Sequence, residues 1–223
     1  MADPASSTFE LYATLPPQIA VRIGQAIIDG TFQPGQKLRE VDLAQSFGVS
    51  RASVREALRL LESEGLITIL PQRGAQVTAL SAEAVRDIFE IRAQLMGLAC
   101  RRLAVAVTPS LAARLETLLK TLRTSRDDGE AYARASLAIS EYCVRHAGSK
   151  RLADLILSFG RQTARYTKLS LSTAERRKHS IAMWRDLVDA LINGKPAAAE
   201  RFARDLVLAT RDSALRLLAD TQD

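Results

Sequence analysis

The spacing of apolar residues and glycines over residues 38–77 restricts the backbone more than any other part of the sequence. A first apolar set at helical spacing ends at Gly48, where a residue without a Cβ can adopt the left-handed conformation that closes a helix. Ser50 can cap a second helix, predicted over about residues 51–64, because its hydroxyl can accept a hydrogen bond from the first turn. The apolar positions of this helix share one face that must meet a core; they are Val54, Ala57, Leu58 and Leu61. Two short strands, LITIL and AQVTA, are predicted on either side of a turn at residues 71–74.

Three arginines, Arg51, Arg55 and Arg59, follow the opposite face of the second helix at intervals of four residues. Two short helices joined by a tight turn, with arginine on the second, are typical of a helix-turn-helix that offers a recognition helix to the major groove. Arg51 and Arg55 are predicted to read bases, since a guanidinium can donate two parallel hydrogen bonds to guanine O6 and N7. Arg59 lies one turn further along and is predicted to meet phosphate. A solvated helix face is the alternative interpretation of the three arginines.

The predicted hairpin makes this unit a winged helix, with Arg73 and Gly74 at the tip of the wing. An arginine at that point can enter the narrow minor groove, and a glycine lets the backbone come close. The other candidate DNA contacts are Arg39, Ser50 and Ser53. The arginine face, the Ser50 cap, the turn at Gly48 and the Arg-Gly wing together favour DNA binding.

The run GVSRASVREALRLLESEGLI, followed by PQRGAQV, closely resembles the DNA-binding domain of the GntR superfamily of bacterial transcription regulators. The resemblance covers about residues 15–77. It implies that the arginines matching Arg51 and Arg55 contact operator bases and that the wing glycine matching Gly74 approaches the minor groove. One departure is Ala52-Ser53, where family members often carry Thr-Pro or Thr-Thr; Ser53 keeps one hydroxyl for a phosphate.

The rest of the chain shows no convincing strand, and about six helices are predicted in succession. Their predicted ranges are 82–106, 109–126, 130–146, 150–171, 174–193 and 196–219. Short connections imply antiparallel neighbours and therefore a compact bundle. We expect a mostly α protein with a flexible arm over residues 1–14, a winged helix-turn-helix over residues 15–79 and an all-α bundle over residues 80–223.

Two segments of this half, FEIRAQLMGLACRRLA and VRHAGSKRLADLI, resemble the FCD effector domain of the FadR branch of the GntR superfamily. Many FCD domains hold a metal with one aspartate and three histidines. The resemblance places these four ligands at Ser136, Ser140, Trp184 and about Leu206. None of the four side chains can serve as the usual ligand, and the only histidines are His146 and His179. We therefore expect no metal and no other cofactor, and we interpret both histidines as solvated.

An anionic organic ligand, bound without metal, is our hypothesis for the bundle. In the family the arginine matching Arg92 often faces the effector, and a guanidinium can grip a carboxylate with two parallel hydrogen bonds. The candidate effector residues are Arg92, Ser136, Ser140, Tyr142, Arg165 and Trp184. The alternative is that Trp184 only fills the core, which leaves a bundle that serves dimerisation alone.

Charge does not by itself indicate the partner. The chain carries a net charge of +6, but residues 1–78 hold seven Lys and Arg against eight Asp and Glu. A protein that binds nucleic acid without sequence preference is a further alternative. Such binding relies on many phosphate contacts, so the nearly equal numbers of positive and negative side chains in residues 1–78 argue against it. No apolar run approaches the ~18 residues needed to cross a bilayer, and residues 1–14 lack the pattern of a signal peptide. We expect a cytoplasmic protein without a membrane partner, in which Cys100 and Cys143 are buried thiols.

Catalysis has no support in the sequence. There is no Gly-rich phosphate loop, no Gly-x-Ser-x-Gly elbow and no histidine paired with a plausible nucleophile, so an enzyme is not expected. We predict a sequence-specific transcription regulator that binds an inverted-repeat, double-stranded operator as a homodimer. The bundle would supply a dimer contact or a sensor for the anionic ligand.

Overall fold

The structure, a computed structural model, describes residues 15–219, so the arm expected over residues 1–14 lies outside the described residues. Contacts within the chain separate two compact units, with the boundary between Leu80 and Ser81. The first unit holds three helices and three strands. They are α1 (Leu15–Ile28), β1 (Lys37–Leu38), α2 (Glu40–Phe47), α3 (Arg51–Ser63), β2 (Ile67–Leu70) and β3 (Gly74–Val77).

The turn between α2 and α3 has the predicted geometry. Gly48 adopts φ 65° and ψ 36°, a left-handed conformation, and its N–H bonds back to the end of α2. Ser50 then caps α3, because its hydroxyl accepts a hydrogen bond from the backbone N–H of Ser53 at 3.1 Å. A cap of this kind stabilises a helix by roughly 1 kcal/mol.

The core of the first unit lies between α3 and α1. The predicted apolar face of α3 is buried, with at most 2% of any of its four side chains exposed. It packs against a matching face of α1 formed by Ile19, Ile23 and Ile27. Burial of each large aliphatic side chain contributes roughly 1.5–3 kcal/mol, so this contact holds the other face of α3 towards solvent.

The wing is a three-stranded antiparallel sheet in the order β1-β3-β2. The predicted hairpin corresponds to β2 and β3, with Leu70 opposite Gly74 at the turn. The sequence did not predict β1, which pairs Lys37 with Gln76 and Leu38 with Ala75. Two residues are too few to show an alternating pattern, and β1 forms because the hairpin offers a free edge.

The second unit is a bundle of helices, and its described residues contain no strand. The helices are α4 (Ala82–Ala106), α5 (Pro109–Thr124), α6 (Gly129–Arg145), α7 (Lys150–Gln162), α8 (Ala164–Ser170), α9 (Ala174–Ile192) and α10 (Pro196–Ala219). The long helices α4 and α10 pack closely at Gly97, where an added Cβ would lie 2.8 Å from Cγ of Arg204. None of the described helices combines the length and apolar character that a bilayer crossing requires.

One predicted helix, over residues 150–171, is divided into α7 and α8. The break is at Thr163, whose φ of −98° and ψ of 4° depart from helical values. Its hydroxyl donates to the carbonyl oxygen of Phe159 at 2.8 Å and accepts a hydrogen bond from Nη1 of Arg92 at 3.2 Å. The break therefore depends on a contact with α4, which is distant in sequence and could not be read from the helical period.

Candidate nucleic-acid interface

The arginine face of α3 is open to solvent. The side chains of Arg51, Arg55 and Arg59 are 63%, 51% and 64% exposed, opposite the buried apolar face of the same helix. The Ser50 cap lies beside Arg51 at the helix start and is also exposed. The structure therefore brings these predicted contacts together on one accessible surface.

Two of these arginines converge on one carboxylate of α2. Arg55 makes a bidentate ion pair with Glu40, from Nε to Oε1 at 3.0 Å and from Nη2 to Oε2 at 2.8 Å. Nη2 of Arg51 lies 3.8 Å from the same Oε2. Glu40 was missed in the sequence analysis, because it lies 15 residues before Arg55 and no local pattern joins them.

The ion pair is charged on both sides at neutral pH. The hydrogen bonds from Arg55 lower the pKa of Glu40, partial burial opposes this, and the charges of Arg55, Arg51 and Arg59 lower it further. Glu40 in turn raises the pKa of Arg55. The carboxylate thus fixes the direction of the guanidinium through Nε and Nη2. The N–H groups of Nη1 and the second N–H of Nη2 are left for the two acceptors of a guanine, so Arg55 can contact a base while Glu40 holds it.

The remaining predicted DNA contacts are distributed over the same unit. Arg39 is exposed and immediately precedes α2, whereas Ser53 is partly buried in the first turn of α3. Arg73 and Gly74 are exposed at the β2–β3 turn, and Gly74 has a φ of 80°. Arg59 forms a weaker pair with Glu56, at 3.5 Å on the same helix.

In the second unit, two of the predicted effector residues are in contact. Trp184 of α9 is 3% exposed, and its Nε1 donates to the hydroxyl of Ser136 on α6 at 3.3 Å. This pair occupies two of the four positions at which the FCD resemblance places metal ligands. No group of three or more His, Cys, Asp or Glu residues within positions 15–219 is arranged to hold a metal ion.

Among the described residues, no hydrogen bond joins Trp184 to any other predicted effector residue. Arg92 bonds to Thr163 and lies over the ring of Phe89, and burial lowers the pKa of Arg92 to about 10. The ring of Tyr142 packs on His146, with 4.1 Å between centroids. Ser140 and Arg165 are partly buried.

Two buried arginines were missed. Both histidines were interpreted as solvated, and His146 and His179 are exposed. Arg176 and Arg177, however, are only 9% and 7% exposed. Residues 176, 180 and 184 share one face of α9, so the spacing of eight residues between Arg176 and Trp184 was a signal for Arg176. Cys100 and Cys143 are free and buried, in agreement with the sequence analysis.

Comparison with known proteins adds family and fold information. Residues 16–77 match the family described as bacterial regulatory proteins, gntR family, and residues 87–209 match the FCD domain. The HTH-type transcriptional regulator YdhC of Bacillus subtilis (strain 168) is 45% identical over 78 residues, which cover 35% of this chain and 35% of that protein. The match therefore spans only about a third of that relative's length.

Longer similarities extend over both units. The HTH-type transcriptional regulator Mce2R of Mycobacterium tuberculosis (strain CDC 1551 / Oshkosh) is 26% identical over 228 residues, covering 92% of this chain and 93% of that protein. The solved structure of E. coli McbR/YncC superposes with a TM-score of 0.75 at 19% identity, covering 94% of this chain and 99% of that chain. At this identity the structural likeness concerns the fold.

Proposed function

The chain belongs to the GntR family of bacterial transcription regulators, in the branch with an FCD domain, and we propose that it binds an inverted-repeat DNA operator as a homodimer. The observation that carries the proposal is the convergence of Arg51 and Arg55 on Glu40 at the exposed, capped start of α3. A solvated charged face needs no such arrangement, whereas readers of bases must point in fixed directions.

In this proposal the contacts divide into readers and anchors. Arg51 and Arg55 read base edges in the major groove. The phosphate backbone is held by Arg39, Ser50, Ser53 and Arg59, and Arg73 with Gly74 enters the minor groove from the wing. Phosphate contacts position a protein on DNA but carry no sequence information, so specificity depends on the first two arginines.

A homodimer is supported by an apolar stripe on α4. Ile91, Leu98 and Val105 are 48%, 36% and 75% exposed and recur every seven residues, which places them on one side of the helix. A second copy of the same chain is the occupant we propose for this stripe. Pairing of two winged helices multiplies their effective affinity and requires an operator with two half-sites.

Response to an anionic ligand, bound without metal, is the second part of the proposal. It is supported by the partly buried Arg92, whose Nε is buried without a partner among the described residues, and by the buried Arg176, in a unit whose described residues bury no carboxylate. One observation favours a second candidate, a regulator whose helical unit only dimerises. The contact between Trp184 and Ser136 occupies the part of the bundle in which the ligand was predicted to bind. No catalytic activity is proposed.

Selection of genomic fragments by the purified full-length protein tests the DNA-binding proposal. We expect the bound fragments to share an inverted repeat, and their affinity to exceed that of random DNA by roughly a thousandfold or more. A steep salt dependence without any preferred sequence would instead identify an unspecific nucleic-acid-binding protein.

A further inference from the structure

Arg176 is a buried cation, and some of its hydrogen-bond donors are satisfied by no atom of residues 15–219. Its side chain lies in α9, and its Nη2 donates to the hydroxyl of Thr210 on α10 at 3.3 Å. Its Nε and Nη1 are fully buried and have no partner among the described residues. These two nitrogens carry three of the five N–H groups of a guanidinium.

No carboxylate of the described residues is buried with Arg176 to balance its charge. The buried residues of positions 15–219 include two charged side chains, Arg176 and Arg177, and no Asp or Glu. Burial lowers the pKa of Arg176 from its ordinary value, and the nearby charge of Arg216 lowers it further, whereas Tyr132 opposes the shift. An arginine nevertheless keeps its proton in proteins, and a buried charge without a counter-charge is costly.

The adjacent Arg177 shows how a structural arginine is satisfied in this bundle. Its Nε donates to the carbonyl oxygen of Arg126 at 2.6 Å, and its Nη1 donates to the carbonyl oxygens of Leu171 and Ser172 at 3.0 and 2.7 Å. Arg177 therefore ties the α5–α6 and α8–α9 connections together. Arg176 has no comparable set of acceptors, so a purely structural role does not account for it.

Hydroxyl groups from three helices lie near Arg176. We use the name Arg176 cluster for Tyr132 of α6, Arg176 and Ser180 of α9, and Thr210 of α10. The hydroxyl of Tyr132 is buried and has no hydrogen-bond partner among the described residues. Burial raises the pKa of Tyr132, while the nearby hydroxyl of Ser180 and the charges of Arg176 and Arg177 lower it. The hydroxyl of Thr210 donates to the carbonyl oxygen of Leu206 at 2.9 Å, so it holds Arg176 as an acceptor only. The donors left over are Nε and Nη1 of Arg176 and the hydroxyl of Tyr132, and this set suits an oxyanion, which accepts several hydrogen bonds at once.

The Arg176 cluster lies at a different level from the usual FCD metal position. Tyr132, Ser180 and Thr210 are each four residues, about one helical turn or ~6 Å, from Ser136, Trp184 and Leu206 respectively. The level of Ser136 and Trp184 is closed by their own contact. One turn away, Nε and Nη1 of Arg176 have no acceptor among the described residues.

We propose that the Arg176 cluster binds the carboxylate or phosphate group of a small anion without the help of a metal. The proposal rests on the ligand response included in the proposed function, and it moves the contact from Trp184 to Arg176. Because the cluster joins α6, α9 and α10, an occupied site would favour the arrangement of these helices that grips the anion. The anion shifts DNA binding only if the two arrangements differ in affinity for it.

Thermal unfolding of the full-length protein with citrate or inorganic phosphate tests the site. We expect the wild-type Tm to rise by roughly 5–10 °C at an anion concentration 100-fold above its Kd. Arg176→Met should melt at or above the wild-type temperature without anion, because it removes an unpaired buried cation. The same variant should lose the rise caused by the anion.

Arg177→Met is the matched control, since it changes the neighbouring buried arginine in the same way. It should melt at a lower temperature, because three carbonyl groups lose their donor, and it should keep the rise caused by the anion. Equal rises in wild type and Arg176→Met would reduce the effect to general salt stabilisation and overturn the proposal. The absence of a rise with both anions would overturn it as well.

Tyr132→Phe tests the cluster with a conservative change. Calorimetric titration should show citrate or phosphate binding weakened roughly tenfold or more, because one hydroxyl donor to a charged group is lost. Unchanged affinity would remove Tyr132 from the site and contradict the cluster. Operator binding is measured in parallel, so that failure of operator recognition with intact anion binding rejects the DNA proposal alone.

Discussion

At the residue scale, substitution of each of the three arginines of α3 should show whether it contacts bases or phosphate. Arg51→Ala and Arg55→Ala should each weaken operator binding by roughly 1–3 kcal/mol, the range for a bidentate guanine contact. Arg59→Ala should weaken binding to operator and random DNA alike, since phosphate contacts carry no sequence information. Fluorescence anisotropy on both DNAs at one fixed salt concentration measures the difference. Equal losses on both DNAs for all three variants would reject the assignment of readers.

Glu40→Gln should reduce the preference for operator over random DNA without weakening DNA binding as a whole. It removes a negative charge beside the arginines that we propose to face DNA, so affinity for random DNA should rise. It also removes the partner that directs Arg55, so the ratio of operator to random affinity should fall by a factor of about 2–5, the size of an exposed ion pair. Glu56→Gln is the matched control, because the one ion pair of Glu56 with a described residue is to Arg59, at 3.5 Å. The ratio should not change in that control.

The Glu40–Arg55 pair also has a defined pH range. The pKa of Glu40 is lowered, so the pair stabilises the folded protein above the ordinary pKa of a glutamate. That contribution is lost as the pH falls through the lowered value. The difference in Tm between wild type and Glu40→Gln should therefore be constant from about pH 6 to pH 8 and vanish in acid. A difference that changes between pH 6 and 8 would contradict the pair as described.

Single residues were predictable where a local pattern specifies them. The Ser50 cap, the turn at Gly48 and the exposure of the three arginines follow from neighbours within one or two turns. Glu40 and Arg176 were missed because their roles arise from contacts between helices. Arg176 carried only a weak signal, its spacing of eight residues from Trp184 on one helical face.

At the element scale, the packing of α4 against α10 depends on Gly97. An added Cβ would lie 2.8 Å from Cγ of Arg204 and 3.1 Å from the carbonyl oxygen of Glu200, which is backbone and cannot move aside cheaply. Gly97→Ala should therefore destabilise the protein by about 1–3 kcal/mol, in spite of the better helix propensity of alanine. Chemical denaturation measures this change.

Gly160→Ala in α7 is the control for that substitution. Gly160 is helical and has no heavy atom within 4 Å of an added Cβ. It should stabilise the protein by about 0.5–1 kcal/mol through helix propensity alone. If Gly97→Ala were equally stabilising, the two helices would not approach as closely as described.

Whole elements were predicted best where the apolar period is long. The bounds of α4 match its predicted range at both ends, and α10 begins where predicted, because a long segment with one buried face leaves little choice. The break at Thr163 and the strand β1 were not predicted. The first is supported by the hydrogen bond from Arg92, and the second by the edge of the wing, and neither contact is local in sequence.

At the scale of the whole molecule, the apolar stripe on α4 should decide the oligomeric state. Leu98→Glu places a charge in the middle of the stripe formed by Ile91, Leu98 and Val105, and it should shift the homodimer towards monomer. Sedimentation velocity over a range of concentrations measures the shift. Leu155→Glu, on α7 at 51% exposure, is the control and should leave the dimer intact. A dimer unaffected by Leu98→Glu would place the interface elsewhere.

The most direct test of base reading is a double-mutant cycle between Arg55 and the operator. Affinity is measured for wild type and Arg55→Ala, each on the selected operator and on the operator with one guanine of each half-site replaced. If Arg55 reads a guanine, its replacement should cost wild type roughly 1–3 kcal/mol per half-site and should cost Arg55→Ala almost nothing. If every guanine replacement costs wild type and Arg55→Ala the same, Arg55 reads no base, and the central claim is contradicted.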